Sequence, residues 1–388
     1  MPRAKKPEPP KPEFRVGYVA LIGRPNVGKS TLLNKVLGRK VAITSDKPQT
    51  TRLSLLGIRT TPRGQIIFID NPGIHKPLHK LNKRMMSFVH ASLQTADLVC
   101  LLVDATERFG HGDEFALEMI KAFRGPLFLL INKVDIVRKG NILLLIDKYK
   151  ELAPFKEIIP ISALRGTNLD VFEKLVFDNL PDAEKLYGDD DVSDQSVRFL
   201  LAEIIREKVL NHVTAELPWA TAVYIDRIER REKGEGGGFE DEEEDFEGMV
   251  GEGQGEGGDD NEEESAEDGG VEAGGESGDA SVPGLPYSFP HPLFLSEKKE
   301  KKPRLTKEEL KQRPVAYVKA SIFVERDNHR KIIIGRKGQI IKTIGIEARR
   351  EIEEVLEARV FLDLQVKVRP NWRDSADVLD LIEGQKRF

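Results

Sequence analysis

GRPNVGKS, residues 23–30, is the stretch that decides the fold of the first half of the chain. It fits the pattern GxxxxGK[ST], and its flanks are the ones that pattern requires. VGYVALI (16–22) precedes it and reads as a buried strand; TLLNKVLG (31–38) follows it, apolar at helical spacing and closed by Gly38. A loop between such a strand and such a helix curls its backbone N–H groups around phosphates. Gly23 and Gly28 permit the turn, with Asn26 and Val27 between them. Lys29 brings a point charge to the β- and γ-phosphates, and Ser30 offers a hydroxyl to Mg²⁺. Thr31 lies in the first turn of the helix, whose positive dipole end faces the phosphates.

Outward from this loop, QIIFID (65–70), LVCLLVD (98–104), PLFLLIN (126–132) and EIIPIS (157–162) read as four more buried strands. Helical patterns lie around 82–95, 113–123, 141–151 and 168–179. Strands alternating with helices predict an α/β domain with a doubly wound, mostly parallel sheet, whose ligands bind at the carboxyl ends of the strands.

The polar motifs fall at those ends. Asp70-Asn71-Pro72-Gly73 follows the second strand. Asp70 is suited to hold Mg²⁺ through water and the Gly73 N–H to touch a γ-phosphate, although such a tetrapeptide is also simply a good turn. Asn132-Lys133-Val134-Asp135 selects the base. The Asp135 carboxylate accepts two hydrogen bonds from the N1–H and 2-amino group of guanine, a pair adenine does not offer. Asn132 either reaches the base edge or ties the motif to the phosphate loop, the Lys133 stem covers the ring, and Ser162-Ala163 closes the pocket through backbone groups. The nucleotide is therefore GTP or GDP, not ATP, with Mg²⁺.

Lys47-Pro48-Gln49-Thr50-Thr51-Arg52 lies between the phosphate loop and Asp70. A threonine here completes the Mg²⁺ shell only when the γ-phosphate is present; Thr51 is expected in that role rather than Thr50. The metal set is then Ser30, Thr51 and, through water, Asp70, and the groups carrying the chemistry are Lys29, Thr51 and Gly73. The residue after Gly73 is Ile74, not a glutamine that could orient water. Either a group from elsewhere assists, or hydrolysis is slow, as suits a timer.

The character changes after Pro181. Residues 195–210 read as an amphipathic helix, 219–228 and 315–324 as strands, HRKIIIGRKGQIIKTIGIEARREIEEVLEA (329–358) as helix, Gly-rich turn and helix, and 361–370 as a last strand. Gly335-Arg336-Lys337-Gly338 is a GxxG turn with two cations, flanked by Lys331, Ile334 and Lys342, with Arg349 and Arg350 nearby. Ile332, Ile333, Ile340 and Ile341 are expected to pack the helices and leave a groove for unpaired bases. This is the pattern of a KH domain, whose loop clamps about four nucleotides of single-stranded RNA; the alternative is a charged helix-turn-helix with a structural role. The expected organisation is a basic arm (1–14), a P-loop GTPase domain (15–183), a linker (184–194), an α+β type II KH domain (195–374) and a tail (375–388). The KH domain is interrupted at 231–312 by a disordered acidic insertion.

The composition agrees. Of 388 residues 39% are hydrophobic, with 60 Lys and Arg against 65 Asp and Glu, a net charge of −5. Residues 234–280 alone hold 20 acidic residues, 15 glycines and no Lys or Arg; without them the chain carries 60 basic and 45 acidic residues, a net of +15. Such a tract cannot bury enough surface to offset its ordering entropy. The foldable remainder is basic, as suits a polyanionic partner. The apolar runs are far shorter than the roughly 20 residues a bilayer span needs. The N-terminus is basic and proline-rich, unlike a signal peptide. The single cysteine, Cys100, is expected as a core thiol. A cytoplasmic protein is indicated.

GRPNVGKSTLLNKVLG, ITSDKPQTTR, DNPGIHKP, NKVD and PISA resemble the bacterial Era-type GTPases. So do AEIIREK (202–208), HVTAELPWATAV (212–223), IIIGRKGQIIKTIGIEARREIE (332–353) and LDLQVKVRPNW (362–372). The resemblance covers about residues 16–228 and 313–374. It implies a ribosome biogenesis factor that binds the 3′ end of 16S ribosomal RNA through its KH domain and helps mature the 30S subunit, with no DNA partner. It also implies a potassium ion held at Asn26, and some members associate peripherally with the inner membrane. Two features depart from the family: Asn71 stands where threonine is usual, and the acidic tract is additional. The tract reads as a tolerated surface insertion, with mimicry of RNA as the alternative. Asn71 and Ile74 support a rival reading, a nucleotide-gated RNA-binding adaptor with little useful turnover. A GTPase acting in RNA modification finds no second catalytic constellation.

Overall fold

β1 (Arg15–Gly23) lies at the centre of a six-stranded sheet because its side chains alternate between two cores. Val19 and Leu21 enter one, Ala20 and Ile22 the other. The computed structural model describes residues 14–47, 50–74, 79–213, 217, 219–231 and 314–386. The expected arm up to residue 13 and the expected insertion from residue 232 lie outside them.

β1 is followed by α1 (Lys29–Leu37), β2 (Leu55–Thr61), β3 (Gly64–Asp70), α2 (Lys80–Thr95), β4 (Leu98–Asp104) and α3 (His111–Ile120). Then come β5 (Leu127–Asn132), α4 (Lys139–Lys150), β6 (Glu157–Pro160) and α5 (Leu169–Asn179). The strand order is β2-β3-β1-β4-β5-β6, all parallel except β2. Helices α1 and α5 cover one face and α2, α3 and α4 the other. β4 shows the reason for its continuous apolar run: Leu98, Cys100 and Leu102 fill the first core, Val99, Leu101 and Val103 the second. Cys100 is buried, and burial pushes its thiol well above the ordinary value.

The second fold starts with α6 (Val197–His212), whose N-cap Ser196 accepts a hydrogen bond from Phe199 N. β7 (Thr221–Arg231), β8 (Val315–Val324), α7 (Asp327–Ile334), α8 (Gln339–Leu356) and β9 (Arg359–Val368) follow. β8 pairs antiparallel with β7 and parallel with β9, and Arg231 pairs with Val315. The chain between those two residues therefore leaves and returns at neighbouring points, which is why an insertion there is compatible with the sheet.

Three expectations need correction. β2 was not expected: as an antiparallel edge strand it carries Gly57, Arg59 and Thr60 instead of an apolar run. β6 ends at Pro160 rather than residue 162. The expected tail is ordered, with α9 (Ala376–Gly384) following a 3-10 turn, Trp372–Asp374. Trp372 is fully buried, donates from Nε1 to Ala220 O at 2.9 Å, and with Leu379 joins the core under α2. We expect Trp372→Ala to lower unfolding free energy by about 3–5 kcal/mol, read from the denaturant midpoint; a tail without packing would leave it unchanged.

An ion cluster ties the loop after α1 to α6 and α8. Lys40 Nζ reaches Glu207 Oε2 and Glu351 Oε1, each at 2.6 Å, Lys208 Nζ meets both carboxylates, and Thr44 N donates to Glu207 Oε1 at 3.1 Å. Burial pushes the Glu207 carboxyl up, but Lys208, Lys40 and the Thr44 N–H outweigh it and leave it below the ordinary value. A depressed carboxyl contributes stability above its unfolded pKa, about 4.3, and loses it as pH falls through the folded value. Glu207→Gln should therefore destabilise the protein at pH 7 and flatten the acid side of its stability profile below about pH 5, measured by thermal unfolding across pH.

Candidate functional site

The carboxyl ends of β1, β3 and β5 bring the motifs together. Gly28 caps α1 in the left-handed region, at φ 99°, and a Cβ there would stand 2.3 Å from Asn132 Nδ2. Only glycine fits this position. Gly23 starts the loop at the end of β1, Asn26 turns it at φ 61°, and Val27 is buried beneath it. Lys29 lies under the loop, its Nζ donating to Gly23 O at 3.0 Å and Arg24 O at 2.9 Å. Burial pushes its pKa down to about 8 against the opposing pull of Asp70. The loop rim is held by Arg24, which spans Glu107 at 2.7 Å and the buried Asp113 of α3 at 3.1 Å. These two carboxylates were not expected to take part, and no motif marks them.

Ser30 Oγ donates to Asp70 Oδ2 at 2.6 Å and lies 2.9 Å from Thr51 Oγ1. Asp70 is fully buried and its Oδ1 has no partner. Burial raises its pKa to about 6, countered by Ser30, Lys29 and Thr51. Two hydroxyls and a carboxylate with an orphaned oxygen are the hard donor set that fits Mg²⁺. Thr50, in contrast, turns its hydroxyl to Lys47 O at 2.6 Å. The open cleft above is lined by Asn26, Lys29, Ser30, Thr31, Thr51 and Gly73 among others. Gly73 packs on Pro25, where a Cβ would come within 2.7 Å of the backbone.

Asn71 lies beneath the site rather than in it. Its Oδ1 accepts from Ser54 Oγ at 2.7 Å and its Nδ2 donates to Leu21 O and Ile69 O. The departure from threonine is thus absorbed by a satisfied buried amide. Ile74 is a core residue, and its N donates to Gly23 O at 3.1 Å.

At the base motif the two roles left open for Asn132 are resolved. Its Nδ2 donates to Val27 O at 2.7 Å and its Oδ1 accepts from Ala163 N at 2.9 Å, so both ends of the amide tie loops together. Lys133, left-handed at φ 65°, pairs through Nζ with Asp104 Oδ2 at 2.5 Å. Asp104 was visible only as the polar end of its strand. Asp135 is exposed and has no polar partner among the described residues. Ser162 is buried and its Oγ accepts from Arg165 N, which shapes the loop beside Ala163.

The GRKG loop joins α7 to α8. Gly335, at φ 74° and ψ 176°, occupies a region essentially reserved for glycine, and a Cβ would meet Ile340 at 2.7 Å. Lys337 and Gly338 are left-handed, and Arg336 and Lys337 are exposed. Lys331 is exposed and pairs with Asp327 Oδ2 at 3.0 Å; Lys342 is exposed one turn into α8. The packing expectation holds for Ile333, which is fully buried, and for Ile340, half-buried against the same core. It fails for Ile332, which is 47% exposed because it lies on the outer side of α7. Ile334 and Ile341 are half-buried.

Residues 18–133 match the 50S ribosome-binding GTPase family model, and residues 303–373 match the KH domain model. Sheet, site and loop together define a P-loop GTPase carrying an RNA-binding KH domain. The chain is 36% identical over 367 residues to GTPase Era of Heliobacterium modesticaldum, spanning 95% of this chain and 96% of that one. It belongs to the Era family of GTPases. Among solved structures it is similar to Era in complex with MgGDPNP and nucleotides 1506–1542 of 16S ribosomal RNA, with TM-score 0.70, 34% identity, and 95% and 98% of the two chains covered. It is also similar to an Aquifex aeolicus Era variant bound to GDP and AlF4⁻, with TM-score 0.70, 33% identity, and 95% and 99% covered.

The approach of Gly28 to Asn132 gives a sharp test. Gly28→Ala should weaken GDP binding by about a hundredfold, since Cβ must displace the amide that spaces the two loops and strain a left-handed φ, at on the order of 3 kcal/mol together. Titration of GDP into the variant measures it.

Proposed function

We propose that this protein is a Mg²⁺-dependent GTPase that binds the 3′ end of 16S ribosomal RNA through its KH domain and promotes or checks assembly of the 30S subunit, hydrolysis being the switch. One observation carries the reading: the Ser30–Thr51–Asp70 cluster and the GRKG loop belong to one chain, 95% of which aligns with an Era solved with both a Mg-nucleotide and that RNA segment. The cytoplasm is its place of work, with the peripheral inner-membrane association of some relatives as a secondary location.

In this reading the loop N–H groups of Gly23 and of Asn26 to Thr31, with the Lys29 ammonium, hold the phosphates and take up negative charge as it develops. Ser30 and Thr51 would hold Mg²⁺ directly and Asp70 through water, and the ion would supply positive charge against the phosphates. Gly73 offers its N–H to the γ-phosphate. Asp135 reads guanine, with Lys133 over the ring and Ala163 at its edge. Asn26, whose amide nitrogen donates to Asp46 O at 2.6 Å, keeps its oxygen for a potassium ion. Ile74 supplies an apolar wall and no acid or base, so the chemistry rests on positioning and charge, and turnover is slow. The rival, an RNA adaptor without useful turnover, is separated by a phosphate-release assay with Mg²⁺: this protein releases phosphate in repeated cycles and the adaptor does not.

On the RNA side, Arg336 and Lys337 meet phosphates, with Lys331 and Lys342 flanking, while Gly335 and Gly338 allow close approach and Ile334 lines the groove. A short RNA with the 3′-terminal 16S sequence should bind more tightly with a non-hydrolysable GTP analogue than with GDP at fixed salt. Replacing Arg336 and Lys337 together by alanine should weaken binding in both states. It should also reduce the slope of log affinity against log salt by about 1.4, two single-strand phosphate contacts. An unchanged slope would place the RNA elsewhere.

A further inference from the structure

Neither nucleotide nor RNA contact accounts for two buried arginines beside Thr51. Arg52 and Arg206 are 6% and 2% exposed. Arg206, on α6, donates through Nη2 to the carbonyl of Thr50 and holds Glu203 through Nε and Nη2 at 2.7 and 2.6 Å. Arg52 donates to Thr221 O at 2.6 Å and Trp219 O at 3.2 Å, with its guanidinium 5.5 Å from the centre of the Trp372 ring. Both residues flanking Thr51 are therefore fastened to the KH half of the chain. Thr50 is held by its carbonyl to the first helix of that half, and Arg52 by its side chain to the entry of the first strand. Thr51 sits between the two fastenings with its hydroxyl 2.9 Å from Ser30 Oγ.

Stability alone is a poor reason for this arrangement. Buried charges are often replaced by apolar side chains of similar volume without loss. Arg206 Nη1, moreover, is buried with no acceptor, so the guanidinium is not optimally satisfied. What the pair does provide is geometry: a planar fork holds a carbonyl and a carboxylate at once, in a fixed relation that a flexible ammonium or an apolar chain does not reproduce.

We propose that Arg206 is a positioning residue for hydrolysis: through the Thr50 carbonyl it sets the place of the Thr51 hydroxyl, so that the first helix of the KH domain controls how well the nucleotide site holds its cation. This rests on the reading of Thr51 as a metal ligand in the GTP state. Arg206 touches no substrate atom. Its effect is confined to the state in which Thr51 is engaged, so binding of GDP is independent of it.

The test uses the full chain with GTP and Mg²⁺. Arg206→Met keeps the length and the apolar stem and removes the donors. The Mg²⁺ concentration for half-maximal hydrolysis should rise, and kcat fall, each by on the order of tenfold, as expected when a reacting group is displaced by part of an ångström. GDP affinity should stay within about twofold, the sign that the fold and the phosphate loop are intact. Thr51→Ala should show the same Mg²⁺ shift, and the double variant should be no worse than Thr51→Ala alone, because both changes act through one hydroxyl. Additive losses, or an Arg206→Met enzyme with wild-type Mg²⁺ dependence while Thr51→Ala is shifted, overturn the positioning role. A Thr51→Ala protein without a Mg²⁺ shift overturns instead the reading of Thr51 on which it rests. If Arg206→Met no longer binds GDP, Arg206→Lys decides: a raised Mg²⁺ requirement with intact GDP binding supports the proposal, and a wild-type requirement defeats it.

Discussion

One primary amide holds the nucleotide site together. Asn132 ends β5, donates to the backbone of the phosphate loop and accepts from the loop that follows β6. Three connections that end three different strands are thereby fixed at hydrogen-bond distance. The amide is 2% exposed, so the bonds are made in a medium where losing either would leave a buried polar group unsatisfied. Its demands propagate. The phosphate loop must approach closely enough that only Gly28 fits, and that approach sets where α1 begins. The start of α1 sets where Lys29 and Ser30 point, and Ser30 then meets Asp70 and Thr51. Charge follows geometry: Lys29 and Asp70 are drawn toward neutrality by burial and held ionised by each other and by the hydroxyls.

This also explains which parts of the site could be read from the chain alone. GxxxxGKS, DxxG and NKxD were legible because each combines residue types with a strand end, and a parallel sheet gathers its strand ends on one edge whatever the loops do. Thr51 over Thr50 was legible only as a preference; in the structure the Thr51 hydroxyl lies beside Ser30 Oγ, while the Thr50 hydroxyl turns to Lys47 O. The double role of Asn132 was not legible, since an asparagine at a strand end can equally face a base or a backbone. Arg24 with Glu107 and Asp113 lay beyond reach, being side-chain contacts between elements with no spacing rule to mark them. In the second fold, the helix–GRKG–helix order and the strands around it were visible. The exposed position of Ile332 was not, because three consecutive isoleucines carry no helical phase. Edge strand β2 and helix α9 were missed for a related reason. Both are stabilised by what they pack on, β3 for one and α2 with β7 for the other, more than by an apolar period of their own.

The contacts between the GTP-binding sheet and the RNA-binding fold are of a particular kind. An apolar patch made of Ala222, Phe323, Trp372 and Leu379, with Tyr224, Val378 and Ile382 packed against it, enters the core under α2. Around it the contacts are polar: Lys40 with Glu207 and Glu351, Arg84 with Asp380 and Glu383, His79 with Asp374, and Lys386 with Ser54 O. Apolar boundaries resist opening, because exposing them costs about 25 cal/mol for each Å². The exposed ion pairs among the polar contacts, such as Arg84 with Asp380, cost little to exchange for water.

The placement of these polar contacts is not random over the surface. Thr44, Thr50, Arg52 and Ser54 belong to the segment that carries Thr51, and His79, Lys80 and Arg84 open the helix that follows Gly73 and Ile74. Asp374 accepts from Lys80 N at 2.8 Å and so completes the N-terminus of α2 from the other fold. The two segments that would feel a γ-phosphate are thus the two that the C-terminal half grips. A shift of either segment by part of an ångström, as a bound γ-phosphate would impose, changes the length of charge-assisted bonds whose strength depends steeply on distance. Such coupling needs no long pathway through the core. It requires only that the residues beside the nucleotide be the same residues that hold the neighbouring fold, and around Thr51 they are.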